Sequence, residues 1–281
     1  MKRLYPLHAW RALHFAVLLG PALLPCPAVG SAPDPNTVLA MVRNRDDGKD
    51  IYSEVKMVIT ESSGSTRNRD LLFLQRDFGK DERVTIYFNG PADVKGVALQ
   101  SVNYDEAQDQ EDEQWMYLPA MRQTRRIAGN DKRGSFMGSQ YAYVDLDKLR
   151  VRDFSQTYVG EETVLGRPCF ILERVPAGDK IITKTGYYKT RLWVDKERFL
   201  VLRQTYFDAK GVLFKELIVH RVENVQGIWS VMDSEMRDLV NRRSSSLIFG
   251  KVRYNVGLDP SLFQTSILKM GIHHGNLPAV R

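Results

Sequence analysis

The feature that most constrains this chain is an alternation of apolar and polar residues that recurs from residue 51 to residue 254. Residues 54–60 and 69–76 alternate on either side of a Ser/Gly-rich turn, which is the pattern of a β-hairpin. Further candidate strands are 83–88, 94–102, 114–118, 154–161, 169–175, 187–194, 200–207, 213–222, 229–239 and 245–254. About eleven strands at short, regular spacing predict a mainly β fold, either an antiparallel barrel or a strongly curved sheet.

Only three segments have a helical pattern, at 37–45, 145–149 and 261–269. A sheet of this size must bury its apolar face, and such short helices offer little area to cover it. One solution is a barrel filled by its own side chains, which suits about eight strands. The other is a wider interior with a ligand cavity, which the larger number of strands favours.

Residues 1–32 have the pattern of a secretory signal peptide. Basic residues Lys2, Arg3 and Arg11 precede an apolar run that ends in small residues suited to cleavage. The run is shorter than the ~20 apolar residues of a membrane span. Residues 23–26 resemble the box in which a lipoprotein cysteine is acylated, but prolines on both sides of Cys26 depart from it. We therefore predict a soluble exported protein with one domain over 33–281.

Composition excludes several functional classes once residues 1–32 are removed. They contain three of the 40 basic residues and none of the 34 acidic residues, which leaves a net charge of +3. This small charge does not indicate nucleic-acid binding. Cys169 is then the only cysteine, so an internal disulfide is not expected.

No motif predicts an enzyme, a metal site or a cofactor. Nucleophile-elbow and phosphate-loop patterns are absent from the sequence. His220 lies in a predicted strand, while His273 and His274 form a pair suited only to adventitious metal binding. A hydrolase with Ser139 as nucleophile stays open as an alternative, although no spacing supports it.

The stretch from Trp115 to Asp147 changes composition twice. It begins as a strand end with large rings and continues with a basic cluster, which is Arg122, Arg125 and Arg126. A flexible polar loop then leads to residues 136–143, where Phe, Met and Tyr side chains adjoin glycine. Apolar groups in a loop need a place to bury, so we predict a lid over an apolar cavity. The arginines would pair with a phosphate or carboxylate headgroup. The alternative is a loop packed into the core, with solvated arginines.

Three segments also resemble a known family: "PADVKGVAL" at 91–99, "WMYLPAMRQTRRIAGNDKRGSFMGSQYAYVDL" at 115–146 and "VLGRPCFILE" at 164–173. They are similar to outer-membrane lipoprotein-sorting-protein-like sequences, which are periplasmic relatives of the LolA and LolB lipoprotein carriers of Gram-negative bacteria. The resemblance implies an incomplete antiparallel barrel wrapped round a few short helices, with a cavity for acyl chains. It also implies an association with RND-type (MMPL-like) exporters. Gln140-Tyr141 and the acidic insert at 106–113 depart from the family pattern and leave the cargo open.

The prediction is therefore a periplasmic carrier of lipids or lipoprotein acyl chains without catalytic residues. The candidate cavity residues are Val55, Met57, Leu72, Leu74, Ile86, Phe88, Trp115, Tyr117 and Leu118. The candidate lid residues are Phe136, Met137, Tyr141 and Tyr143. Which strand residues share one face is an assumption, because a slip of one residue exchanges the two faces. The alternative is a non-enzymatic adaptor of an RND-type exporter with a filled barrel.

Overall fold

Thirteen antiparallel strands form one open, curled sheet in a computed structural model that describes residues 32–272 and residue 277. The predicted signal peptide, including Cys26, and the pair His273-His274 lie outside the described residues. The strands are β1 Asp50–Thr60, β2 Thr66–Phe78, β3 Asp81–Gly90, β4 Ala98–Asn103, β5 Glu113–Leu118, β6 Gln123–Arg126, β7 Phe154–Val164, β8 Arg167–Pro176, β9 Lys189–Asp195, β10 Val201–Phe207, β11 Leu213–Val225, β12 Ile228–Asp238 and β13 Arg243–Tyr254. The predicted β-rich, incomplete antiparallel barrel is confirmed, with thirteen strands where about eleven were expected; of the thirteen, only β6 corresponds to none of the candidate strands.

Two meanders build the sheet, and the pairing of β1 with β13 joins them. Strands β1 to β6 lead outward on one side, and β13 back to β7 lead outward on the other. Strands β6 and β7 are therefore the two edges, although they are consecutive in the chain. The segment that connects them, residues 127–153, runs from one edge of the sheet to the other.

The helices are short, as the sequence predicted. α1, Pro35–Arg43, begins where the Asp34 carboxylate accepts hydrogen bonds from Asn36 N and Thr37 N, the usual role of an N-cap aspartate. Its buried Val38 and Leu39 pack in one cluster with side chains of β8 and β9. α2, Asp179–Thr185, was not predicted. None of the helices in the described part of the chain is long and apolar enough to cross a membrane.

Three predicted boundaries are corrected. The strand expected from residue 94 begins at Ala98, because the chain turns first and Gly96 adopts φ +85°. The helix expected at 145–149 is the 3-10 helix Tyr143–Leu146. The helix expected at 261–269 is two 3-10 helices, Pro260–Phe263 and Thr265–Lys269.

The two faces of the sheet bury different residues. The inner face of the curl carries a cluster that runs across neighbouring strands, from the side chains of β5–β1 to those of β13–β10. The outer face of β1–β5 is covered by the C-terminal segment, whose Leu262 and Phe263 are fully buried. Arg83 Nη1 fastens that segment by donating to Phe263 O at 3.2 Å.

Candidate functional site

The inner face supplies the largest apolar cluster of the described residues. We call it the inner-face cluster; its buried members are Val55, Met57, Ile59, Leu71, Val84, Ile86, Phe88, Val94, Val97, Leu99, Met116, Ile127, Phe136, Tyr141, Tyr187, Tyr206 and Met236. Strand register explains the set, since Ile86 pairs with Leu99 and Leu99 pairs with Met116 across neighbouring strands. Side chains at such positions point to the same face.

Residues 127–150, which we call the covering segment, lie over this face. The middle of the segment is a small hairpin in which Ser135 pairs with Ala142. Its turn places Met137 at φ +51° and Gly138 at φ +77°, with Ser139 N donating to Phe136 O at 2.9 Å. Two successive left-handed residues are characteristic of a type I′ turn, in which glycine avoids the strain that a Cβ introduces. The predicted lid, residues 136–143, is this hairpin.

Phe136 is the main apolar contact of the lid. Its side chain is 1% exposed. The ring centroid lies 5.6 Å from that of Phe88 and 5.7 Å from that of Tyr143, distances typical of favourable aromatic pairs. The lid therefore contributes a large ring to the space that the curl of the sheet encloses.

A buried ion pair fixes the covering segment beyond the lid. Asp145 Oδ2 lies 2.5 Å from Lys215 Nζ, and the exposed fractions of the two side chains are 5% and 9%. Tyr187 donates a hydrogen bond to Asp145 Oδ1 at 2.7 Å and accepts one from Lys215 at 2.8 Å. The charges of Asp145 and Lys215 are thus paired, and both also form a hydrogen bond with Tyr187. A charge in an apolar interior requires such partners.

A second buried pair lies further along the segment. Asp147 Oδ2 is 2.8 Å from Lys132 Nζ, and Gln114 Nε2 donates to Asp147 Oδ1 at 2.8 Å. Burial raises the pKa of the Asp147 carboxyl, and the charge of Lys132 opposes that rise. The covering segment is consequently held by a few polar anchors in addition to its apolar packing.

Two small cavities flank the covering segment, each with a volume of about 140 Å³. One lies between Leu146 and strands β2–β4, and the other lies between residues 144–154 and strands β8–β10. Ligand pockets for small molecules typically have ~300–1,000 Å³. In this conformation the covering segment itself occupies most of the interior.

Most of the candidate binding residues meet at the inner-face cluster. Met57, Ile86, Phe88, Phe136 and Tyr141 are buried in it, and Leu118, Met137 and Tyr143 are partly buried against it. Val55 also belongs to it.

Four candidates lie on the other face, so the assumption of a single face is corrected for them. Leu72, Leu74, Trp115 and Tyr117 pack in the outer cluster under the C-terminal segment. The error is one of phase: Met116, between the two large rings of β5, is the residue that points inward.

The arginine cluster does not act as one unit. Arg122, Arg125 and Arg126 are all exposed, around edge strand β6. Arg126 Nη2 lies 2.9 Å from Glu113 Oε1. In the register of β5 and β6, Arg126 lies opposite outward-facing Trp115, whereas Arg125 lies opposite inward-facing Met116. Of the two arginines within β6, Arg125 is therefore on the inner side of the sheet and Arg126 on the outer side.

Ser139, the nucleophile of the hydrolase alternative, is engaged within the lid. Its side chain is 3% exposed, and its hydroxyl donates to Phe136 O at 2.7 Å. His220 is exposed and lies 3.2 Å from Glu235 on the surface. Neither residue has the geometry of a nucleophile and its base.

Buried basic residues of the inner face were not predicted. Arg174 on β8 and Lys215 on β11 alternate with apolar inward residues, two positions after Leu172 and two before Leu217. A basic residue in phase with an apolar face is a signal that the sequence does contain. The hydrogen-bond and ion-pair partners of Arg174 and Lys215 include atoms of the covering segment. These partners cannot be identified before the fold is known.

Comparisons with known proteins give a consistent result. A family model described as "Uncharacterized protein" matches residues 80–270. The crystal structure of a DUF1329 family protein from Desulfovibrio piger is similar, with 34% identity and a TM-score of 0.77; the match covers 84% of this chain and 100% of that one. No protein of curated function matches the chain.

Two other solved structures are similar. A domain assigned as an outer membrane lipoprotein-sorting protein, from Vibrio parahaemolyticus, has 26% identity and a TM-score of 0.75, over 84% of this chain and 98% of that one. A LolA superfamily protein from Nitrosomonas europaea has 16% identity and a TM-score of 0.62, over 83% of this chain and 98% of that one. The latter likeness shows the fold alone.

Proposed function

This chain belongs to the DUF1329 family and has a LolA-like fold, and from this premise we propose that it is a periplasmic carrier of lipids or lipoprotein acyl chains towards the outer membrane. The family resemblance predicted from the sequence is confirmed. The assignment of the Vibrio domain to lipoprotein sorting supports this class of cargo. Cargo would bind at the inner-face cluster, once the covering segment is displaced.

The observation that carries the proposal is the nature of the cover. The inner-face cluster is apolar and continuous, but residues 127–150 cover it with 3-10 turns and one small hairpin. The segment connects the two edge strands β6 and β7. It can therefore leave the inner face without breaking the pairing between any two neighbouring strands of the sheet.

Displacement of the cover makes loading reversible. Phe136 and an acyl chain would contact the same residues, among them Phe88, so the two compete for one surface. The free energy of burying the chain is reduced by the cost of removing the lid, and we expect moderate affinity. A carrier that must hand over its cargo needs this property.

The small volume of the cavities favours one alternative function, that of an adaptor with a filled interior. An interior already filled by the covering segment also suits an adaptor of an RND-type exporter, with the fold serving as a docking scaffold. The two functions differ in whether the inner face takes up an acyl chain at all. Binding measurements on the inner face therefore separate them.

The test uses the placement of the tryptophans. Trp115, Trp193 and Trp229 pack in clusters on the outer face, so a Phe88→Trp variant adds an indole to the inner face, on a strand that stays in place when the covering segment moves. A fatty acid brominated along its chain quenches only an indole that it contacts. We expect the brominated acid to quench the added tryptophan of Phe88→Trp and to leave the fluorescence of the wild type nearly unchanged.

Two results would count against the proposal. Equal quenching of the wild type and the variant would place the bound chain on the outer face. Absence of quenching, together with no uptake of a fluorescent fatty acid by the wild type, would favour the adaptor. Phe249→Trp, a second inner-face position on β13, should respond in the same direction as position 88.

A further inference from the structure

Arg174 is a buried cation without a carboxylate partner. Its side chain is 5% exposed, and among residues 32–272 no carboxylate lies within 4.0 Å of its guanidinium. Arg174 Nη2 donates to Arg150 O at 2.5 Å, whereas Nε has no hydrogen-bond partner among the described residues. Burial lowers the pKa of the Arg174 guanidinium to about 10, which leaves it charged at neutral pH. An uncompensated buried charge is costly unless a counter-ion binds it.

The cavity beside Arg174 has the size of a polar group. Its volume is about 140 Å³, and residues 144–154, α2 and strands β8–β10 surround it. Since a water molecule takes up ~30 Å³ in the liquid, the cavity accommodates an oxyanion group with a few waters. Thr190 lines the same cavity and is buried, and its hydroxyl has no partner among the described residues.

The other cations of the cavity wall have acidic partners. Arg150 pairs with Asp112 at 2.8 Å and with Asp153 at 3.6 Å. Lys148 pairs with Glu82 at 2.7 Å and with Asp47 at 3.8 Å, and Lys184 lies 4.0 Å from Asp153. The acidic residues of the wall are likewise paired, Asp145 with Lys215 and Asp147 with Lys132. Arg174 is thus the cation of this wall that has no carboxylate within 4.0 Å among the described residues, although Asp153 of the same wall favours its charged form.

Arg174 is held in place for a ligand. Its guanidinium lies over the Phe154 ring, 4.0 Å from the centroid, which favours a cation and limits rotation of the side chain. On the sheet it pairs with Thr190, so the two side chains stand next to each other on the inner face. A guanidinium and a hydroxyl side by side can both donate to one oxyanion.

We propose that this cavity binds a singly charged oxyanion group, a carboxylate or a phosphodiester, through Arg174 and Thr190. Tyr187 and Tyr206 line the cavity and also belong to the inner-face cluster. An oxyanion at Arg174 would therefore adjoin the apolar surface on which the acyl chain is placed. This assigns the headgroup to an interior site instead of the exposed arginines around β6, and it rests on the proposed function for the source of the oxyanion.

The test compares two amphiphiles with the same chain. Laurate and 1-dodecanol compete with a fluorescent apolar probe for the protein at pH 8, where laurate is ionised. We expect the wild type to bind laurate about tenfold (about 1.4 kcal/mol) more tightly than dodecanol, because a carboxylate accepts charge-assisted hydrogen bonds and a hydroxyl does not. In Arg174→Met the affinities for laurate and dodecanol should differ by less than about twofold, because the charged donor is removed. Arg191→Met, one residue from Thr190 but on the outer face and paired with Glu173, should retain the preference.

A second arm separates a lipid headgroup from a free ion. Acetate or inorganic phosphate is added at constant ionic strength, and the unfolding temperatures of the wild type and Arg174→Met are compared. If acetate or phosphate raises the unfolding temperature of the wild type but not that of Arg174→Met, and the wild type shows no preference for laurate, the site binds a free oxyanion and not a lipid headgroup. Equal binding of laurate and dodecanol with no effect of either ion on the wild type would overturn the site and leave the carrier function intact.

The site and the carrier function can also fail separately. If neither amphiphile binds, the carrier function fails and the ion arm alone decides the site. If Arg174→Met does not fold, Thr190→Val replaces it, because its hydroxyl has no partner to lose among the described residues. Thr190→Val should reduce the laurate preference roughly threefold, the effect of one neutral donor, and an unchanged preference would overturn the site.

Discussion

At the scale of single residues, the charges buried under the covering segment decide how firmly it is held. Asp145, Lys215 and Tyr187 satisfy one another in the interior, on the surface that a bound chain would use. Buried charges of this kind contribute little net stability as a pair, but removal of one partner leaves the other unpaired. The covering segment therefore combines apolar packing with contacts that tolerate little change.

Asp145→Asn tests the ion pair. The substitution leaves the Lys215 ammonium buried without its counter-charge, so we expect the free energy of unfolding to fall by about 3 kcal/mol. Urea unfolding monitored by circular dichroism measures the change. The exposed pair of Arg221 and Glu223 is the control, and Glu223→Gln should cost less than about 1 kcal/mol. Similar losses in the two variants would show that the interior pair is no more important than a surface pair.

Asp77 gives a pH dependence of known sign. Burial, with the charges of Asp47 and Glu82, raises the pKa of its carboxyl to about 6. The folded state thus binds this proton more tightly than the unfolded state, whose aspartate pKa is ~3.9. The contribution to stability is present below about pH 4 and is lost as the pH rises through about 6. Asp77→Asn should therefore raise the unfolding temperature at pH 7.5 and leave it nearly unchanged at pH 4.

The control for this prediction is Asp109→Asn, because Asp109 is fully exposed. Its effect on the unfolding temperature should be small at both pH values. If Asp77→Asn lowers the unfolding temperature at pH 7.5, the charge of Asp77 stabilises the fold and the assigned direction is wrong.

At the scale of elements, the sheet was more predictable than its cover. Alternation of period two identified nearly every strand, since each has one apolar face. Strand β6 was missed because its sequence, Gln123–Arg126, is polar throughout and lies at an edge. The phase of β5 was misassigned because Trp115 and Tyr117 are apolar enough for either face. Which face curls inward depends on the pairing of β1 with β13, which joins residues far apart in sequence.

The lid hairpin supplies the prediction at this scale. Phe136→Ala should lower the free energy of unfolding by about 3 kcal/mol, because it leaves a void where a fully buried ring stood. The same void should strengthen binding of an apolar fluorescent probe, since the ring no longer competes for the inner face. Chemical unfolding and probe titration measure the two effects.

Met121→Ala is the control, because Met121 is 62% exposed in the turn between β5 and β6, outside the covering segment. Both its stability and its probe affinity should be close to those of the wild type. Weaker probe binding in Phe136→Ala would mean that the ring is a ligand contact and not a competitor of the ligand.

At the scale of the whole molecule, the architecture separates a stable frame from a removable cover. The frame is one sheet, whose outer face over β1–β5 is closed by the C-terminal segment. The covering segment follows one edge strand, β6, and precedes the other, β7, so its movement would not disturb the strand order. Under the proposed function, the apolar surface stays buried in the free protein and becomes available when a cargo replaces the covering segment.

The most direct test of that account is native mass spectrometry of the protein isolated gently from the periplasm, with lipid mass spectrometry of an organic extract. We expect one acyl-bearing lipid per chain, either as isolated or after incubation with membrane extract. The bound lipid should exchange with added fatty acid. A protein that carries no lipid in either state would contradict the central claim, and the filled interior would then identify a scaffold and not a carrier.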